Sequence, residues 1–253
     1  MILFLRLLPT LIIPYLGLIY YFTTKFYNLF WIFIVLALIG PLLALWLITK
    51  KINIPQGFMT FIFFPIFAIL TSFGALMFSE ALLFKVIICL GMVLLTNLYL
   101  ENTFRFVFQP ARYQTNALLN LSLIFAVFGL LFALKTIFDF SLFVNLAIWL
   151  TGIIFIVMIF VWLYFLSRLL QAPKKINKVF SFGLVVFGVQ LFLLASWFPI
   201  LPIYKAGFLV VFLTLAVQIY RNELLEKPQA SRWTLIIYTL VLIFLLATAK
   251  WFI

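Results

Sequence analysis

From Leu29 to Ile48 the chain runs without one charged side chain, and runs of this kind recur along almost its whole length. A helix needs about 20 apolar residues, at about 1.5 Å each, to cross the roughly 30 Å hydrocarbon layer of a bilayer. In hydrocarbon every backbone N–H and C=O must find a partner inside the protein, which leaves helices and closed barrels as the spanning structures. Barrel strands alternate apolar and polar residues, and these runs do not. The fold class expected is therefore all-α, a polytopic transmembrane helical bundle. Composition agrees: 68% of residues are hydrophobic and 9% charged, against about 25% charged in soluble domains.

Punctuation by proline, charge and polar residues places about nine spans, at residues 7–22, 29–48, 58–78, 82–105, 117–134, 142–166, 179–198, 203–220 and 233–249. The count falls to eight if the first helix, which carries Pro9 and Pro14, or the break at "WFPILPIYK" is read otherwise. Pro9 and Pro14 remove backbone donors and should kink helix 1. Pro199 and Pro202 should end one helix and start the next. These spans consume nearly the whole of 1–253, so a single integral membrane domain is expected. The N-terminal run has no basic region ahead of it and no A-x-A-like site after it, so it reads as a retained helix.

The distribution of cations orients the bundle. With nine spans, one side receives Arg6, Lys50, Lys51, Arg105, Arg112, Arg168, Lys174, Lys175, Lys178, Arg221, Lys227 and Arg232. The other receives Lys25, Lys85, Lys135, Lys205 and Lys250. Cytoplasmic loops hold the excess of Lys and Arg. The N-terminus is then cytoplasmic, the C-terminus outside, and the location the plasma (inner) membrane. The same cations account for the formal net charge of +12: they meet anionic headgroups at the cytoplasmic loops, and nucleic acid is not an expected partner.

The residue inventory narrows the chemistry. Histidine is absent, Cys89 is the lone cysteine, and the acids are Glu80, Glu101, Asp139, Glu223 and Glu226. Ser-His catalysis and histidine-bearing zinc sites are excluded. The lone aspartate, Asp139, has no partner for a magnesium-holding pair, and no phosphate-binding glycine loop is present. No metal and no cofactor is expected. On these spans no acid lies at mid-membrane, where a proton-coupled carrier would keep one. The polar residues placed inside spans are Gln190, Asn145 and Gln218. Each could line a path, though bonding to a neighbouring helix is the simpler role. Ala68, Thr71, Ser72 and Ala75 form a small-residue stripe suited to close helix packing.

One polar stretch stands apart, "NLYLENTFRFVFQPARYQTN" from Asn97 to Asn116. The apolar run from Val86 to Leu100 is too short to span, so helix 4 should continue to Arg105. Asn97, Glu101 and Arg105 then share one face. Asn116 and Asn120 lie a turn apart on helix 5, and the connection adds Gln109, Arg112, Tyr113 and Gln114. Three roles compete for this cluster. Glu101 and Arg105 can clamp the hairpin; Arg105 and Arg112 can hold the phosphate of a lipid or substrate; or Glu101 can act as a general base. The block E-N-x-F-x-F-x-x-Q-P-x-R-Y-Q, Glu101 to Gln114, resembles a recurring block in a family of small polytopic bacterial membrane proteins of uncharacterised function. The resemblance implies a membrane location and singles out Glu101, Asn102, Gln109, Pro110, Arg112 and Tyr113. The leading expectation is a non-enzymatic lipid-binding or scaffold subunit of an envelope or transport assembly, with membrane lipids and a membrane-protein partner. The alternatives are a carrier or flippase for an anionic or lipid-linked substrate, and an integral-membrane transferase using Glu101.

Overall fold

The computed structural model describes the backbone of residues 2–50, 58–108, 115–170, 174–224 and 231–249. The described residues form nine α-helices, one short 3-10 turn and no strand. The protein is an all-α helical bundle, and seven of its helices are long and apolar enough to cross a membrane. The apolar stretches Ile62–Met77 and Ile236–Thr248 are shorter. The chain divides into two compact units, residues 1–129 and 130–253.

The first unit holds α1 (Ile2–Lys25), α2 (Phe30–Thr49), α3 (Phe58–Met77), α4 (Leu82–Phe108) and the first half of α5 (Thr115–Phe143). Helix α4 packs against α1, α2 and α3. Its core is aromatic: Tyr20 stacks on Phe73 with ring centroids 4.9 Å apart, and Phe30 meets Phe73 edge-on at 6.0 Å. Tyr20 Oη and Ser72 Oγ share a buried 2.7 Å hydrogen bond, joining α1 to α3. Ala68, Ser72 and Ala75 of the small-residue stripe are fully buried. Pro9 and Pro14 both lie inside a continuous α1. At Gly40 of α2 the ring of Tyr15 comes so close that a methyl group there would lie 2.2 Å from Cε1. Tyr15 Oη donates to Leu36 O at 2.7 Å, on the same turn.

The second unit holds the rest of α5, then α6 (Ile148–Leu169), α7 (Lys174–Trp197), α8 (Pro202–Leu224) and α9 (Ser231–Thr248). Each of the last four packs on the next in chain order, as short connections between antiparallel helices favour. Phe155, Ile159 and Trp162 of α6, Phe192 of α7 and Leu209 and Leu213 of α8 form the buried centre. α6 and α8 converge on α7 at Gly188, where an added Cβ would meet Ile159, Leu213 and Phe155 at 3.3–3.5 Å.

The outward faces are apolar rather than polar. Trp31, Trp149 and Trp197 are among the most exposed side chains, and all lie at helix ends. This inversion is what a lipid-solvated bundle requires, with tryptophan at the interfacial belts. Lys50 sits over the Trp46 ring at 4.7 Å, and Arg168 over Tyr164 at 4.5 Å. Hydroxyls within the helices bond back to their own backbone: Thr23 to Ile19 O, Thr96 to Met92 O, Thr103 to Tyr99 O and Thr214 to Val210 O, at 2.6–2.8 Å. That local bonding lets a helix carry threonine through hydrocarbon. Ser122, on α5, is fully buried and its Oγ has no hydrogen-bond partner.

Several helices run beyond the expected spans, α1 from Ile2, α7 from Lys174 and α8 to Leu224, and the two largest differences meet at the α5–α6 turn. α5 does not stop at Leu134 but runs to Phe143, carrying Lys135 and Asp139 inside it. α6 correspondingly starts at Ile148 rather than Leu142. The turn between them is built by Asn145, which adopts φ 53°. Asn145 N–H donates to Leu142 O (3.4 Å) and Leu146 N–H to Ser141 O (2.9 Å). Those two bonds make the Schellman motif that closes a helix on a left-handed residue, for which glycine is best and asparagine next. Asn145 is therefore a helix stop between α5 and α6, and not a residue of helix 6. Asn145→Val should lower stability by about 1 kcal/mol, because a β-branched residue pays the full left-handed strain. Asn145→Gly should leave it equal or higher. Thermal unfolding of the two variants in detergent micelles checks both.

Candidate functional site

The polar cluster at the end of α4 takes shape from simple helical spacing. α4 continues through Arg105 to Phe108. Arg105 donates from its guanidinium to Glu101 Oε1, one turn earlier. The acid precedes the base and the base lies in the last turn, the order that both the i, i+4 geometry and the helix dipole favour. The pair is half-exposed, the side chains 40% (Glu101) and 56% (Arg105) accessible. Asn102 Nδ2 donates to Leu98 O at 2.7 Å. Asn97 is half-buried and Asn120 of α5 exposed, and neither joins the Glu101–Arg105 pair. Gln109, Pro110, Arg112, Tyr113 and Gln114 lie outside the described residues, as does the side chain of Asn116. Of the expected cluster, the structure therefore brings together Glu101 and Arg105. The pair is joined through one carboxylate oxygen, Oε1, and a guanidinium has five donors, of which Glu101 takes a share. The arrangement is suited to holding an anion next to Arg105.

The other polar residues expected within spans fall in different settings. Gln190 lies exposed on α7 and Gln218 half-buried on α8. Asn145 caps α5, as described above.

A second cluster was not legible as a site from the sequence. On α5, Lys135 Nζ lies 2.5 Å from Asp139 Oδ2, one turn on. Lys135 is buried and Asp139 half-buried, their side chains 7% and 14% accessible. Helix mechanics do not explain this pair. The base precedes the acid, the less favourable order, and the acid approaches the negative end of the helix dipole. What holds it is burial in the second unit. Phe138, between the two on the same face, stacks on Phe192 of α7 (5.3 Å), and Phe192 on Phe155 of α6 (4.7 Å). Lys205, in the first turn of α8, places its ammonium 5.8 Å from the Phe138 ring centroid and donates to Ser196 O of α7 at 3.2 Å. Lys205 thus reaches from the start of α8 to the end of α7 and the Phe138 ring of α5. The sequence signal is the spacing K-x-x-x-D, which the hydropathy pattern hides by ending helix 5 at Leu134, ahead of both charges. No family model, no curated protein and no solved structure matches the chain.

Proposed function

We propose that this multi-pass membrane protein is a non-enzymatic, lipid-binding subunit of an assembly in the plasma (inner) membrane, with its N-terminus cytoplasmic and its C-terminus outside. The observation that carries the reading is the half-exposed Arg105 guanidinium at the end of α4, held by Glu101 and still presenting donors. A guanidinium at a helix end, on the cation-rich side, is the group that best matches a phosphate diester. Glu101 sets its direction, so the pair acts as a clamp and a headgroup contact together. The count of cations on the two sides supports the orientation.

The test is lipid retention. Protein purified from native membranes should carry anionic phospholipid, and Arg105→Gln should lose about half or more of it while folding normally, since an exposed pair contributes at most about 1 kcal/mol. Phospholipid content unchanged in Arg105→Gln would defeat the reading. A second reading, a carrier for an anionic or lipid-linked substrate, is favoured by one observation, the buried Lys135–Asp139 pair within α5. Ionisable groups inside spans mark substrate and ion pathways in many transport proteins. Transport by reconstituted vesicles that is lost in a Lys135→Met/Asp139→Leu double variant would favour the carrier over the subunit.

A further inference from the structure

We infer that two copies of this chain associate within the membrane along the lipid-facing side of α7, Gln190 of each copy hydrogen-bonding to the partner subunit's Gln190. Neither Glu101 nor Arg105 takes part, so the contact stands whether or not that pair holds lipid. Helix α7 packs on α6 and α8 and buries Leu184, Phe192 and Ala195. Its opposite side, with Gly183, Val186, Phe187, Gln190 and Leu194, is exposed. At about 1.5 Å per residue, Gln190 lies roughly 10 Å from the nearer end of the apolar stretch Val179–Trp197.

Two residues on that side are unfavourable for a helix that faces lipid alone. A glutamine amide carries an acceptor and two donors, and among the described residues that of Gln190 has no hydrogen-bond partner. Hydrocarbon supplies none, and the side chain is too short to reach the interface as lysine or arginine does. Gly183 lies two turns earlier on the same side. Nothing is within 4 Å of a Cβ added there, so no neighbour in the chain requires a glycine, which weakens a helix relative to alanine. A helix–helix contact in the membrane turns both to use: small residues let backbones approach, and amides bond across. One polar residue in an apolar seam also fixes its register and the number of strands.

A second copy is the partner that fits. Copies inserted in the same orientation are related by a twofold axis along the membrane normal, so α7 meets α7 in parallel. An amide is its own complement: the oxygen of each Gln190 accepts from the nitrogen of the other, in an isologous contact. The exposed side carries no charge. Two copies therefore do not repel there, although the chain has a formal net charge of +12. Lys174, Lys175 and Lys178 all precede the apolar stretch. A charged partner would find no counter-charge on this face.

The full-length protein, reconstituted in liposomes over a range of protein-to-lipid ratios, gives its dimer fraction by single-molecule photobleaching. The wild type should dimerise, and Gln190→Leu and Gly183→Leu should each weaken association about tenfold. Gln190→Asn should keep most of it. Gly17→Leu, at an equally open glycine of α1, and Arg105→Gln should leave it unchanged; lipid retention by Arg105→Gln is read separately, so either reading can fail without the other. In a Cys89→Ala background, Leu194→Cys should form a disulfide-linked dimer when native membranes are oxidised, and Ile237→Cys on α9 should not. That pair of variants keeps Gln190 and Gly183 intact, so it decides the matter even if the leucine variants do not fold. A wild type that stays monomeric at every ratio, a dimer equally strong in Gln190→Leu, or no crosslink at Leu194→Cys overturns the inference. A Leu194→Cys crosslink to a different membrane protein alone identifies another partner and overturns it as well.

Discussion

Asp139→Asn should destabilise the second unit by about 3–5 kcal/mol, the cost of leaving a buried ammonium without its counter-ion. A smaller loss is expected for Lys135→Met, which strands the half-buried carboxylate instead. The Lys135 side chain, 7% accessible, is too sheltered for water to take the partner's place. The informative variant is the double one. Lys135→Met with Asp139→Leu removes both charges and fills the space with apolar groups, so stability should return to within about 1 kcal/mol of wild type or exceed it, as buried ion pairs replaced by packed side chains do. Glu101→Gln is the control. It breaks a pair of the same spacing that is half-exposed, and should cost at most about 1 kcal/mol. Unfolding by SDS titration in mixed micelles measures all four. A wild-type midpoint for Asp139→Asn would show that the pair is solvated rather than buried, and would remove the reason for treating this end of the unit as a charged site.

The second large effect is expected at Gly40. An added Cβ there would lie 2.2 Å from Tyr15 Cε1 and 2.8 Å from Cδ1, well inside contact distance. The ring has to leave, and with it goes the Tyr15 Oη bond to Leu36 O. Gly40→Val should therefore cost about 2–4 kcal/mol, combining overpacking with a lost hydrogen bond. Gly40→Val with Tyr15→Ala should recover part of this, because the steric conflict is gone and only the tyrosine's packing is missing. Gly91→Ala on α4 makes the contrast: nothing lies within 4 Å of its added Cβ, and helix propensity alone should raise stability by up to about 1 kcal/mol. The same SDS titration reads the ranking. If Gly40→Val and Gly91→Ala moved the midpoint alike, α1 and α2 would not be packed through this glycine.

What the order of residues determined by itself is the solvent of this protein and hence its secondary structure. A run such as Leu29–Ile48 partitions into hydrocarbon, and hydrocarbon forces its backbone to bond within the segment; neither step consults the rest of the chain. The Glu101–Arg105 pair was readable for the same reason, since i, i+4 neighbours meet whenever the helix forms. The helix break near Pro199 and Pro202 was equally local, and α8 does begin at Pro202. Lys135 and Asp139 have the same spacing, yet the sequence placed them in a connection. Two charges beyond an apolar run look like its end, and only neighbouring helices can make it cheaper to continue. The tertiary structure decided that question: Phe138 stacks on Phe192, the pair is buried, and α5 runs on to Phe143 before Asn145 turns the chain. It decided likewise that Tyr15 presses on Gly40 and that Lys205 meets Ser196 across α7 and α8. Hydrophobic partition is a property of a segment and adds along the chain, whereas shelter for a charge is supplied by atoms distant in sequence and exists only once the helices have packed.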